Sequence, residues 1–366
     1  MPSVIAFLPW AFVKSIVSVG PLRLLPYRKG SLPGDLPHVT QANIDGVLDA
    51  YADRPNLPIS RGTLVELDGW QSGMDITDEQ VARLFRTRHL LGFSALAQRE
   101  LFQQQFGYSN FDTYTLVIQH FNPEAPGTFS FTVRRRDGMS QHLWGSDEFA
   151  FHRPLHVDGR AQIALDEALL SALLNLPTTH EHVYEAIVEF NLANTDSSDV
   201  PDHVEVVMCK SAFEWLLQID SNAKSFTAAL NALLLGINLE ALDGPIAAKW
   251  RSRWPNTKSL LNAWAKDFCA VRGMSAHGTK KRGFVWSNRQ HLAFVAIFFP
   301  LLTKKVLADG GVLTMSEGDV EKLRHVETYL AHDPFDFDWY SDETHPWSEA
   351  SSVAKFAVLS DAMTLR

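Results

Sequence analysis

The sequence predicts an α+β N-terminal domain followed by an all-α helical bundle. Three observations carry this: hydrophobic period two in segments of the first 160 residues, an Asp-Gly turn between two such segments, and amphipathic stretches of helical length afterwards. At 366 residues the chain fits two domains, since a domain typically takes roughly 100 to 200 residues. The expected division is a mixed α/β sensing or regulatory domain at 1–176, a helical domain at 177–331, and an acidic, aromatic tail with a terminal helix at 332–366.

In the first domain, the apolar first twenty residues read as a buried strand pair. They lack the basic start and unbroken apolar core of a signal peptide, Pro9 and Lys14 interrupting them. Ile44, Val47, Leu48 and Tyr51 follow the i, i+3, i+4, i+7 spacing of one helical face. Thr77 and Gln80 form a capping box that starts a second helix. Phe129, Phe131 and Val133 alternate with polar residues up to Asp137-Gly138, so Gln141 to Trp144 can return beside them as a hairpin. A helical subdomain against a small antiparallel sheet is expected.

From about residue 161 the periodicity is helical. The spacing predicts helices over 163–175, 179–194, 202–219, 223–236, 245–252, 257–277, 287–308 and 316–331, with polar or Gly/Pro breaks between them. Ser287 and Gln290 make another capping box. The run Leu292–Leu302 is about half the ~20 residues that span a bilayer, so it is expected to be a core helix, kinked at Pro300. Residues 333–349 hold six acids, no Lys or Arg, and Phe335, Phe337, Trp339 and Trp347. Such a segment is expected to lie along a basic surface with its aromatics docked.

Composition narrows the class. With 46% hydrophobic and 20% charged residues the chain can bury enough apolar surface to offset the entropy of ordering, which excludes wholesale disorder. Two cysteines, Cys209 and Cys269, are too few for a disulfide framework or a four-cysteine zinc site. A cytoplasmic location is expected, with no membrane partner. The net charge of −9 weighs against a nucleic-acid coat, but it averages an uneven distribution. Residues 249–305 carry twelve basic side chains and one acid, Asp267, a surplus of eleven that leaves −20 for the rest. That block is a candidate phosphate-binding surface, with Lys280, Lys281, Arg282 and Arg289 as its RNA-binding residues.

Inside the block lies Arg272-Gly273-Met274-Ser275-Ala276-His277, an Arg-x4-His. About 0.8 such pairs are expected by chance in this composition, so context has to discriminate. Leu260, Leu261, Trp264, Phe268 and Val271 trace a stripe leading into Arg272, which sets the pair at the carboxyl end of a buried helix with Gly278 as its terminator. Histidine exchanges protons near neutral pH, and arginine offers a planar fork to a phosphate as charge builds on it. Together they suit phosphodiester transesterification or hydrolysis. One histidine does not easily serve as acid and base together, and two copies across a homodimer would supply both. Glu214, in Ala212-Phe213-Glu214-Trp215-Leu216, and Ser275 are possible supporting residues.

Other constellations are weaker. Gly273-Met274-Ser275 begins like a nucleophile elbow, but His277 stands where the second glycine belongs. Pro154 between His152 and His156 excludes helical metal-ligand geometry, and His180 and His182 are expected on different sides of a helix. No metal or cofactor is expected. Arg134, Arg135 and Arg136 read as solubilising charge at a hairpin edge.

Residues from roughly 179 to 331 resemble a HEPN domain, most closely the abortive-infection group of ApeA-like proteins. The resemblance rests on the helix Val183–Asn194, the Ala-Phe-Glu-Trp-Leu helix, and the Arg-x4-His followed by Gly before a long apolar helix. It implies a metal-independent endoribonuclease of a prokaryotic defence or toxin system, acting as a dimer, with Arg272 and His277 at its two defining positions. Active members usually carry a polar residue, often Asn or Asp, directly after the arginine, where this chain has Gly273. The alternative that the resemblance leaves open is an inactive HEPN scaffold for dimerisation or nucleotide binding. The trigger ligand of the first domain is not implied.

Overall fold

The structure, a computed structural model, describes residues 3–33, 36–54, 57–99, 109–125, 127–134, 137, 140–145, 150–159, 161–240, 250–277 and 284–333. The expected tail beyond Asp333 lies outside them, as do Lys280, Lys281, Arg282 and Gly278. The chain divides into two compact units, Met1–Arg99 with Gln103–Asn175, and Glu100–Phe102 with Leu176–Arg366. The first is α+β and the second helical.

The first unit is built on β1 (Ser3–Leu8), β2 (Val17–Val19), β3 (Leu22–Arg28), α1 (Gln41–Leu48), β4 (Tyr51–Arg54), β5 (Leu57–Pro58), β6 (Arg61–Leu67), α2 (Asp78–Leu96), β7 (Val117–Phe121), β8 (Phe129–Arg134), β9 (Ser140–Gly145), β10 (Phe151–His152) and α3 (Glu167–Leu174). Seven strands form one antiparallel sheet in the order β2-β3-β6-β1-β7-β8-β9, larger than the small sheet expected. β1 and β2 are both strands, but they do not pair: β1 lies centrally between β6 and β7, while β2 is an edge strand beside β3. All six residues of β1 are buried, so neither sheet face is left to solvent there. β8 and β9 pair as the two expected strands, with Phe131 opposite Leu143 and Val133 opposite Gln141. Arg134, however, faces Ser140, a register one residue off that of a two-residue Asp137-Gly138 turn, and Gly138 lies outside the described residues.

Ile44, Val47 and Leu48 are fully buried on α1 and pack with Ile5, Phe7 and Phe121. Tyr51 is not the last member of that helical face. The helix ends at Leu48, and Tyr51 opens β4, its ring edge-on to Phe7 at 5.0 Å and stacked on Phe151 at 5.0 Å. Its burial thus comes from a strand in the second sheet, β10-β4-β5. The capping box at α2 is present: Thr77 Oγ1 accepts from the Gln80 amide, and Gln80 Oε1 from the Thr77 amide. α3, expected as the first helix of the helical run, belongs to this unit and packs against α2.

The second unit contains α4 (Glu181–Leu192), α5 (Asp202–Leu217), α6 (Ala223–Leu233), α7 (Leu260–His277), α8 (Asn288–Asp309), α9 (Glu317–Arg324) and α10 (Val326–Ala331). The helix expected over 316–331 is therefore two, broken at His325, and of 245–252 only residues 250–252 are described, within a helical stretch 250–253. The core forms around Phe213 of α5, whose ring lies 5.2–6.2 Å from those of Phe226, Trp264, Phe268, Phe298 and Phe299. The Ser287/Gln290 box starts α8, which runs on through Pro300 to Asp309. By length and composition α8 could cross a membrane, but 67% of its most apolar window is buried within the unit. It packs as the core helix expected of it.

Candidate functional site

α7 carries the Arg-x4-His, and its placement follows from both ends. At its start the buried carboxylate of Glu327, from α10, accepts the Leu261 amide at 3.3 Å, satisfying a donor that a helix N-terminus leaves unpaired. Along its length Leu260, Leu261, Trp264, Phe268 and Val271 are all buried, as the stripe requires. Near its middle Asp267, the single acid of the basic block, is fully buried. It accepts the amides of Val285 and Trp286 at 3.1 and 3.2 Å and the indole N–H of Trp254 at 3.2 Å. One carboxylate thus holds the segment before α7 and the segment before α8 against the helix.

Arg272 is partly buried on α7, and its Nε is enclosed with no hydrogen-bond partner. No acid pairs with its guanidinium among the described residues. His277 is the last helical residue described, so the helix is continuous between the two. Five residues at about 100° each place the two positions roughly 140° apart around the axis and about 7.5 Å apart along it. They occupy one end of α7 without sharing a face. The hydroxyl of Ser275 is enclosed and unpaired.

Glu214 does not bond to Arg272. Its Oε1 accepts from Lys210 Nζ at 2.8 Å, one helical turn back on α5. Lys210 is fully buried, with Nζ 4.7 Å from the centre of the Phe226 ring, and its charge is compensated by that carboxylate and that ring face. Glu214, Lys210 and Arg272 all act electrostatically on Cys269, so they form one neighbourhood at the α5–α7 contact. Burial pushes the Cys269 thiol up to about 11, which keeps it protonated and excludes a thiolate nucleophile there. Lys210 was missed because its position is that of a core residue. The Lys-x3-Glu spacing was the available signal.

The charge surplus is smaller in the fold than in the sequence. Lys304 is buried and bonded to both oxygens of Asp319 at 2.9 and 3.0 Å, Lys305 pairs with Asp309, and Arg289 lies 3.6 Å from Asp202. All three acids lie outside residues 249–305. Arg289 nonetheless keeps 77% of its side chain exposed.

Of the histidines, His156 bonds to Asp112 at 2.6 Å. His180 and His182 do not diverge: His180 sits in a 3-10 turn ahead of α4, where helical periodicity does not apply, and the two rings stack at 5.9 Å. Among the described residues no group of three or more His, Cys, Asp or Glu is gathered as a metal site. Arg134 ends β8, and Arg135 and Arg136 lie outside the described residues. No family model, curated protein or solved structure matches the chain.

Proposed function

We propose that the chain is a metal-independent endoribonuclease of the HEPN type, from a prokaryotic defence or toxin system, working as a homodimer. The observation that carries this is Arg272: a guanidinium half-buried near a helix end, with an enclosed Nε and no ion pair among the described residues, Glu214 nearby being bonded to Lys210 instead, is suited to receive an anion. A structural arginine in such a place would be paired.

In the reaction, the 2′-hydroxyl attacks phosphorus, the bond to the 5′-oxygen breaks, and a cyclic phosphate and a 5′-hydroxyl result. His277 of one subunit takes the 2′-hydroxyl proton. The second copy of the pair gives a proton to the leaving oxygen, and Arg272 balances the charge gathering on the phosphate. The roughly 140° between the two positions supports a site composed across a dimer, since one regular helix does not aim both at the same phosphate.

The test is cleavage of single-stranded RNA by the full chain with a chelator present. Arg272→Ala and His277→Ala are each expected to lower the rate roughly 10²- to 10⁴-fold. If both variants cut as fast as the parent, the assignment fails. A folded dimer that cuts nothing would favour the scaffold reading that Gly273 motivates.

A further inference from the structure

A cleft of about 860 Å³ opens between the start of α6, residues 254–256 and the middle of α7. That volume suits a nucleotide-sized ligand. Lys224, Lys266, Trp254, Asn256, Thr227 and Cys269 line it. Neither lysine has an acid partner among the described residues, which separates them from Lys210, Lys304 and Lys305. The Trp254 ring, with the Arg253 guanidinium 5.2 Å from its centre, is held in place by its bond to the buried Asp267, so a flat aromatic surface is fixed in the cleft with Lys224 and Lys266. Fixed rings beside a cationic groove are the means by which proteins hold unpaired nucleic-acid strands.

Lys266 and Ala270, which line the cleft, begin a row of positions that runs on along α7. Lys266, Ala270, Gly273 and His277 follow at i, i+4, i+7 and i+11, one line of positions on the helix. At Gly273 a Cβ would meet nothing within 4 Å, so the line crosses open space there. From Lys266 to His277 it covers roughly 16 Å. A glycine in mid-helix, facing no neighbour, lets a ligand backbone pass close to the protein backbone.

We propose that this cleft holds the single-stranded RNA flanking the scissile phosphate, one base lying on Trp254, phosphates on Lys224 and Lys266, and the strand passing over Gly273 to His277. The direction toward His277 rests on the ribonuclease reading, whereas binding in the cleft does not need it.

The experiment uses the full chain carrying His277→Ala, so that the probe is not cut, and a labelled single-stranded hexaribonucleotide followed by fluorescence anisotropy. Lys224→Ala and Lys266→Ala are each expected to weaken binding several-fold and to reduce the log–log salt slope by about 0.7. Trp254→Leu is expected to weaken it roughly 5- to 150-fold, and Trp254→Phe to restore most of the loss. An abasic hexamer should bind weakly and not respond to Trp254. In the chain with His277 intact, Gly273→Leu is expected to leave the thermal midpoint unchanged or raised and to slow cleavage at least tenfold. Equal RNA affinity in the parent and the cleft variants, or no RNA binding at all, overturns the proposal, even where Arg272→Ala abolishes cleavage. Preference for an acidic peptide over the hexamer overturns it as well. Binding that depends on the cleft without any cleavage leaves the cleft standing and removes the ribonuclease reading.

Discussion

Asp267 Oδ2 lies 3.5 Å from Nε2 of His291, and both side chains are fully buried. The imidazole is not what compensates the carboxylate. Burial lowers the His291 pKa, against the pull of Asp267, and the carboxylate is met instead by the Val285 and Trp286 amides and the Trp254 indole. Removing it strands three donors together, the buried Trp286 amide and the part-buried Val285 amide and Trp254 indole. Asp267→Ala is therefore expected to cost about 3–5 kcal/mol of unfolding free energy in a urea titration, with Asp267→Asn in between. A loss under ~1 kcal/mol for the alanine variant would show that the two segments are held by packing alone.

A glycine on α2 poses a sign test. Gly92 lies in the helix interior, where alanine should be better by roughly 1 kcal/mol on propensity. A Cβ there would come within 2.7 and 2.8 Å of two Phe111 ring carbons. That ring has little freedom to move: it is 1% exposed, with the Arg88 guanidinium 4.2 Å from its centre and His89 stacked at 5.0 Å. Overpacking of this kind costs about 1–3 kcal/mol, so Gly92→Ala is expected to lower the thermal midpoint. In a Phe111→Leu background the same change should become neutral or stabilising. Equal effects in both backgrounds would show that the close approach carries no energy.

Features set by neighbouring residues were legible in the sequence. The capping boxes at Thr77 and Ser287 need only a hydroxyl and an amide three residues apart, and the pairing of β8 with β9 needs only two alternating segments close in the chain. Its register, with Arg134 opposite Ser140, is not that of a two-residue Asp137-Gly138 turn. The stripe from Leu260 to Val271 was readable for the same reason. What failed depends on partners distant in the chain. A strand buried on both faces has no alternation to show which strands flank it, so β1 could not be placed between β6 and β7. Counting charges within a window missed Asp319 and Asp309, the partners of Lys304 and Lys305 just beyond it. Trp254 gave no signal of its own, because its bond to Asp267 joins two segments with no common period.

The first turn of α5 gives stability a pH dependence opposite to that of an ordinary salt-bridged acid. Burial, reinforced by Asp196 and Asp202, pushes the Glu205 carboxyl up to about 7, whereas in an unfolded chain a glutamate titrates near 4.3. Between those values the folded protein holds a proton that the unfolded chain has released. Stability from this group is thus fully present below about pH 4 and falls as pH rises, until it is lost above about 7. Glu205→Gln keeps a neutral side chain of the same size at every pH. The variant is expected to match the parent in urea midpoint at pH 4.5 and to exceed it at pH 8. Glu205 is partly open to solvent, so the gap at pH 8 should shrink in salt as the repulsion from Asp196 and Asp202 is screened. A gap of the same size at both pH values would mean that the glutamine acts through packing, and the raised carboxyl would have no part in stability.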